Sequence, residues 1–328
     1  MKMKSLLVVI TALILITGCS NSESASSNNE VKKATTKSNE KEQVNAQEAK
    51  TDAPKDQGDY EVRFEGEADR KGKLITIKGQ TNLLPESRLV IWLDSVEGTI
   101  IGGRGDTQVK EDGTFETELK IPKSSEGLLE VNLKFDPNSD NQPIKDHYGE
   151  NGEKLKGPFV RLNEESEMQR NITLLTLEIP QDESSASVKI EKPKWDKPND
   201  YGSPKVRIDE PDIQKDDKYL YIEGKTNLLE GTRIKGNLDI PNYIVSGLSD
   251  VTEINPDGSY KLIIEKPASM NKLKDVKDYE LILSASPIDS QWKSNLKIYG
   301  VNGEKFQGDH VVDVNGTKEI QKRISISE

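Results

Sequence analysis

Phe115, Thr117, Leu119 and Ile121 alternate with Glu116, Glu118 and Lys120, and Tyr260, Leu262 and Ile264 repeat the spacing farther along. Leu129, Val131, Leu133 and Phe135 form another such run, matched by Tyr279, Leu281, Leu283 and Ala285. A period of two places every second side chain on one face, the signature of a half-buried antiparallel strand. The runs end at Asp112-Gly113, Asp257-Gly258, Asn151-Gly152 and Asn302-Gly303, dipeptides that supply the positive φ of tight turns. No long amphipathic helical pattern competes with them. About seven short runs in each stretch of roughly 120 residues predict an all-β chain built from immunoglobulin-like β-sandwiches.

The runs belong to two copies of one unit. Gly79-Gln80-Thr81-Asn82-Leu83-Leu84 recurs as Gly224-Lys225-Thr226-Asn227-Leu228-Leu229, and Asp112-Gly113-Thr114-Phe115 recurs as Asp257-Gly258-Ser259-Tyr260. Tyr148 to Lys154 (YGENGEK) meets Tyr299 to Lys305 (YGVNGEK), and upstream Val62-Arg63-Phe64 meets Val206-Arg207-Ile208. A repeat this long suits whole domains, not solenoid units. The expected sandwiches span 59–180 and 205–328. Between them, 181–204 reads as a semi-stiff connector containing Pro193 and Pro198, with Val188, Ile190 and Trp195 able to pack on a neighbour.

The first residues follow a different pattern. Lys2 and Lys4 precede an apolar run from Leu6 to Ile16, and polar Ser20 to Glu23 end it too early for a membrane span. Ile16-Thr17-Gly18-Cys19 resembles the bacterial lipobox. That resemblance implies a signal peptide over 1–18, diacylglyceryl transfer to the Cys19 sulfur, cleavage before Cys19 and acylation of the new amino group. The expected location is therefore the extracytoplasmic face of the cell membrane, with the bilayer as partner through Cys19. Two or more acyl chains hold a protein stably, at about 0.8 kcal/mol per buried methylene. Cys19 is the only cysteine, so no internal disulfide forms. Residues 20–58 carry no aromatic side chain before Tyr60, and 19–58 reads as the lipidated cysteine and a disordered tether.

Charge narrows the partners. The formal net charge is −11, and loss of Lys2 and Lys4 with the signal would take it to −13. An acidic chain is unsuited to nucleic acid, whose phosphates need clustered Lys and Arg. The Gly-x-Thr-Asn-Leu turn followed by a later Asp-Gly-Phe/Tyr strand start resembles Ig-like modules of Gram-positive surface lipoproteins. This sequence departs from them by an extra leucine in both copies, and Glu230 stands where Pro85 stands in the first. The resemblance implies fold far more than activity.

Candidate chemistry is sparse. Tyr148, Asn151 and Glu153, with Tyr299, Asn302 and Glu304, form the duplicated loops most suited to an aromatic contact beside a carboxylate, although a turn retained after duplication is what folding alone would require and is the preferred reading. Asp136, Asn138, Asp140 and Gln142 alternate like a calcium loop, but the sixth and twelfth positions are Asn141 and His147 instead of Gly and Glu. Arg104-Gly105-Asp106 spells an adhesive tripeptide in a Gly-rich stretch. Trp92 falls on the third strand, where Ig domains bury a tryptophan, and Asn237 takes its place in copy two. Neither His147 nor His310 has a histidine counterpart, and no nucleophile elbow, zinc spacing or phosphate loop occurs. The expectation is no catalytic residue, no metal and no cofactor: a non-enzymatic binding or adaptor module meeting an envelope protein or wall polymer. A structural spacer is the first alternative, and a wall hydrolase with a carboxylate pair the second.

Overall fold

The computed structural model describes residues 52–95, 100–123, 128–180, 184–289 and 291–327. The expected signal peptide, Cys19 and the expected tether as far as residue 51 lie outside the described residues. Within the first copy the strands are β1 (Phe64–Lys71), β2 (Leu74–Thr81), β3 (Arg88–Ser95), β4 (Arg104–Gln108), β5 (Thr114–Lys120) and β6 (Leu129–Phe135). A short helix α1 (Gln142–Tyr148) leads to β7 (Val160–Glu165), β8 (Met168–Ile179) and β9 (Ser185–Lys189). They form two antiparallel sheets, ordered β5-β2-β1-β9 and β4-β3-β6-β8-β7. Pairing of the first, second and fifth strands opposite a sheet of the third, sixth and eighth is the immunoglobulin arrangement. β7 adds an edge strand to the second sheet, beside β8.

The alternation explains the core. Ile75 and Ile77 of β2, Phe115 and Leu119 of β5, Ile91 of β3 and Val131 and Leu133 of β6 all point inward and are buried. Their neighbours in each strand lie on the opposite face, as period-two patterning requires; most are open to solvent, but Asn132 of β6 is buried and Glu130 half-buried.

The second copy repeats this with β10 (Asp212–Lys215), β11 (Tyr219–Lys225), β12 (Arg233–Asp239), β13 (Ser249–Glu253), β14 (Ser259–Glu265), β15 (Asp278–Ala285), helix α2 (Lys293–Tyr299), β16 (Val311–Val314) and β17 (Thr317–Ser327). Its sheets run β10-β11-β14 and β13-β12-β15-β17-β16, around a separate core that includes Leu220, Ile222, Leu262 and Leu281.

Two short stretches differ from the expected partition. Residues 54–58, assigned to the tether on composition, form a turn that docks on copy one: the Gly58 amide donates to Asn82 O at 2.7 Å, and Asp56 pairs with Arg63 at 2.7 Å. Residues 198–202 do the same in copy two, with Gly202 N to Asn227 O at 2.6 Å and Asp200 to Arg207 at 3.1 Å. The connector is also partly sheet, since β9 pairs with β1 along Glu67–Lys71. Polar and proline-rich composition conceals both features.

The Thr-Asn of each repeat holds these turns in place. Asn82 is fully buried; its Oδ1 accepts the Arg63 amide at 2.9 Å, and its Nδ2 donates to Glu61 O at 2.9 Å and Asp56 O at 3.4 Å. Asn227 makes the corresponding bonds to Arg207, Lys205 and Asp200. Thr81 and Thr226 donate to the carbonyls of Arg63 and Arg207 at 2.7 and 2.8 Å.

Residues Lys50–Glu328 form one compact unit, and the two sandwiches meet through charged groups. Buried Glu230 accepts from Arg161 Nε at 2.9 Å and from the Leu162 amide at 3.0 Å. Arg161 lies over the Trp195 ring at 5.5 Å, and the Trp195 indole N–H donates to Pro158 O at 2.6 Å. Helix α1 is capped within its own sandwich, by Asn141 Oδ1 accepting from Ile144 N at 3.2 Å. Helix α2 has Trp292 at that position, and Glu164 of the first sandwich accepts the Lys293 and Ser294 amides at 2.6 and 3.2 Å instead.

Asn82→Ala removes the partner of three backbone groups, and unfolding in urea should show sandwich one weakened by about 1–3 kcal/mol. Glu230→Ala and Arg161→Ala should each loosen the junction by roughly 1–3 kcal/mol, and their effects should not add. Backbone 15N relaxation would then report two separate correlation times. A single unchanged correlation time in both variants refutes this role for the pair.

Candidate functional site

The duplicated loops turn inward. Tyr148 and Tyr299 end α1 and α2 with their rings buried, and each hydroxyl accepts a backbone amide at 2.9 Å, from Leu84 and Leu229 respectively. The aromatic contact expected of these loops is therefore not presented to solvent. Burial pushes the Tyr148 phenol up to about 12 and raises that of Tyr299 as well. Gly149 and Gly300 follow with φ of 91° and 94°, and Glu153 or Glu304 folds over each: a Cβ there would lie 2.0 or 2.2 Å from that carboxylate. Asn151 and Asn302 donate their amides to those carboxylates at 3.1 and 3.0 Å. The Glu153 and Glu304 carboxyls are held below the usual range chiefly by backbone N–H donors. Leu155 and Phe306 are buried behind them. The element closes the end of each sandwich, and its exposed carboxylates are spent on its own turn.

The other sequence candidates are likewise absorbed by local structure. Asp136 accepts from Asn138 N at 3.1 Å, Asp140 from Arg88 N at 2.8 Å, and Asn141 caps α1. Among the described residues no group of three His, Cys, Asp or Glu is arranged to hold a metal ion. Arg104-Gly105-Asp106 is edge strand β4 and not a loop; Asp106 accepts from Arg88 at 3.2 Å, and Gly105 packs over Leu119. His147 Nε2 lies 2.6 Å from Gly58 O, tying the N-terminal turn to α1.

A different set of side chains converges on the outer face of β3, β6 and β8. Cross-strand register places Asp94 opposite Glu130, and Glu130 opposite Glu178, so three carboxylates run in one row across the sheet. Direct cross-strand neighbours have Cβ atoms about 4.5–5.5 Å apart. The adjacent row is Trp92, Asn132 and Thr176. Trp92 Nε1 donates to Asp94 Oδ2 at 2.8 Å, Asn132 Nδ2 to the same oxygen at 3.0 Å, and Thr176 Oγ1 to Asn132 Oδ1 at 2.6 Å. Asp94 and Thr176 are exposed, whereas Trp92 and Glu130 are half-buried. The second sandwich borders the row: Lys261 pairs with Glu178 at 2.6 Å, and Asp250 accepts the Ile263 amide at 2.8 Å.

No family model matches the chain, and no curated protein matches it. Among solved structures, a tetra-tandem repeat in the extending region of a large adhesion protein aligns with 81% of this chain at 12% identity and TM-score 0.21. The alignment covers 49% of that protein, so the present chain spans about half its length. A DUF3823 family protein from Parabacteroides merdae ATCC 43184 aligns with 61% of this chain and 79% of its own, at 12% identity and TM-score 0.20. A provisionally named carbohydrate-binding protein from Bacteroides uniformis ATCC 8492 aligns with 80% of this chain and 97% of its own, at 12% identity and TM-score 0.22. Likeness at these values assigns neither ligand nor activity.

The row has an electrostatic cost. Burial, then the charges of Glu178, Asp250 and Asp94, push the Glu130 carboxyl up to about 7, against partial relief from Lys261. Desolvation also raises Asp250, opposed by amides of Ile263 and Val251. A carboxyl with a raised folded-state value keeps its proton where the unfolded chain has released it. This contribution is complete below about pH 4.5, the ordinary glutamate value, and is lost as pH rises through about 7. The unfolding free energy from urea titration of the native chain should therefore fall over this window by roughly 1–3 kcal/mol. Glu130→Gln should flatten that part of the profile; an unchanged slope in the variant would show that another group titrates.

Proposed function

We propose that this chain is a non-enzymatic binding or adaptor module of the bacterial cell envelope, carried on the extracytoplasmic face of the membrane by lipid on Cys19. The observation that carries the binding role is the row Asp94, Glu130 and Glu178 beside Trp92. It is present on one copy only, and neither Asp94 nor Glu130 forms an ion pair among the described residues. Desolvating like charges side by side lowers stability, so folding alone gives no reason to keep them. A partner that supplies positive charge does give one.

Glu130 near 7 beside Asp94 also has the form of an acid–nucleophile pair in a glycosidase. Such chemistry needs an enclosed substrate, whereas this row lies on a sheet face with Asp94 and Thr176 open to solvent. The spacer reading draws its support from the junction through Glu230 and Glu164, which ties one sandwich to the other.

Two cell experiments test the proposal. An alkynyl fatty acid supplied to the cells should label the native chain and not Cys19→Ala, and absence of label on the native chain would refute the lipid anchor. A photo-crosslinking residue at Thr176 should capture a discrete product, with none from the control position Ser325 on the equivalent strand of copy two. Equal and diffuse labelling at both positions would leave the spacer in its place.

A further inference from the structure

Resting on that binding role, the duplication itself identifies the chemistry of the partner. Register aligns Asp239, Glu280 and Ser325 of copy two with Asp94, Glu130 and Glu178 of copy one, and Asn237, Ile282 and Arg323 with Trp92, Asn132 and Thr176. In copy two the carboxylate pair is occupied. Arg323 Nη1 lies 3.1 Å from Asp239 Oδ2 and 2.7 Å from Glu280 Oε2. In copy one the same two carboxylates remain, but the arginine position is Thr176, too short to reach across the strand as a cation. A third carboxylate, Glu178, has been added, and its cation comes from Lys261 of the other sandwich.

We infer that the Asp94–Glu130 pair is a docking site for an arginine side chain of a partner polypeptide, whose guanidinium takes the place that Arg323 fills in cis in copy two. Three features favour this occupant. The matching pair already holds a guanidinium in this molecule. A planar guanidinium also presents a fork of donors to carboxylates and stacks on an aromatic face, and Trp92 flanks the pair where copy two has Asn237. Finally, Asp94 is exposed and Glu130 half-buried, so an incoming group reaches one carboxylate from solvent and desolvates the other. The remaining groups facing the pair are Glu178, Asp250 and Lys261; the two acids outnumber the lysine, which is already paired to Glu178.

The test uses the full chain carrying Cys19→Ala and the peptide acetyl-Gly-Ser-Arg-Ser-Gly-amide, with a citrulline peptide of the same length as neutral control. The Trp92 indole 15N–1H resonance is followed, with Trp195 and Trp292 as internal references. The arginine peptide should shift Trp92 saturably, and citrulline or Glu130→Gln should weaken binding at least about tenfold. Thr176→Arg should restore the arrangement of copy two. It should raise the melting temperature, lower the pH at which Glu130 titrates and abolish peptide binding, while Thr176→Gln should do none of these. No response at Trp92, an equal response to citrulline, or full binding to Thr176→Arg overturns the inference. Failure here together with a discrete crosslink from position 176 would keep the binding module and remove arginine as its partner. Failure of both removes the module as well.

Discussion

The buried asparagine after each Thr is the interaction on which the rest of this structure depends. Asn82 and Asn227 each gather backbone groups from a single upstream segment, 56–63 or 200–207, and the side chains themselves are buried away from water. That satisfaction closes the N-terminal turn onto the sheet and fixes where the second strand ends. Two residues later the Leu84 or Leu229 amide meets the Tyr148 or Tyr299 hydroxyl, so the same turn also positions the helix that plugs the sandwich. An apolar residue of similar size at the asparagine would bury orphaned amides and carbonyls, at a penalty comparable to a large part of a domain's stability. Both copies retain the whole device.

The differences that build the junction between the copies are grouped around it. The position after Leu-Leu is Pro85 in copy one, which has no amide to satisfy, and Glu230 in copy two, whose amide donates to Tyr201 OH at 2.8 Å. The next position has positive φ in both, 70° at Glu86 and 75° at Gly231. Glycine there gives copy two more than a relaxed backbone, because a Cβ at Gly231 would lie 2.2 Å from the Trp292 ring. Trp292 in turn stands where copy one has its helix cap, and Glu164 from the first sandwich supplies the missing cap. The junction is therefore a set of coupled replacements at one turn, each explained by the one beside it.

Much of the fold was legible because alternating residues and positive-φ dipeptides act locally. Phe115 to Ile121 could be only a strand with one face inward, and the structure places it so. Short helices α1 and α2 escaped that reading: one turn or two gives too few residues to display a helical period. The inward role of Tyr148 and Tyr299 was hidden for another reason, since a retained surface loop and a retained plug leave the same duplicated letters. The carboxylate row was the least legible feature. Asp94, Glu130 and Glu178 are brought together only by strand register, which sequence spacing does not reveal. The exchange of Thr176 for Arg323 was present in the sequence, but seeing it requires β8 and β17 to be aligned.

Why copy one should hold three acids where copy two has two acids bridged by an arginine follows from what each copy must do with its outer sheet face. Arg323 bridges Asp239 and Glu280 without help, leaving one negative charge in place of two, so that the pair has its cation in the folded chain. Copy one keeps the acids and omits the cation, while Trp92 and Asn132 hold Asp94 in a fixed orientation with two hydrogen bonds to one oxygen. Orientation in advance removes part of the ordering entropy that an incoming group would otherwise lose. The raised Glu130 carboxyl is the corresponding penalty in the free state, and it is relieved by whatever brings positive charge. A strained, oriented and incomplete ion pair is thus better understood as half of an interaction than as a flaw in a sandwich, because its complete form stands in the same chain.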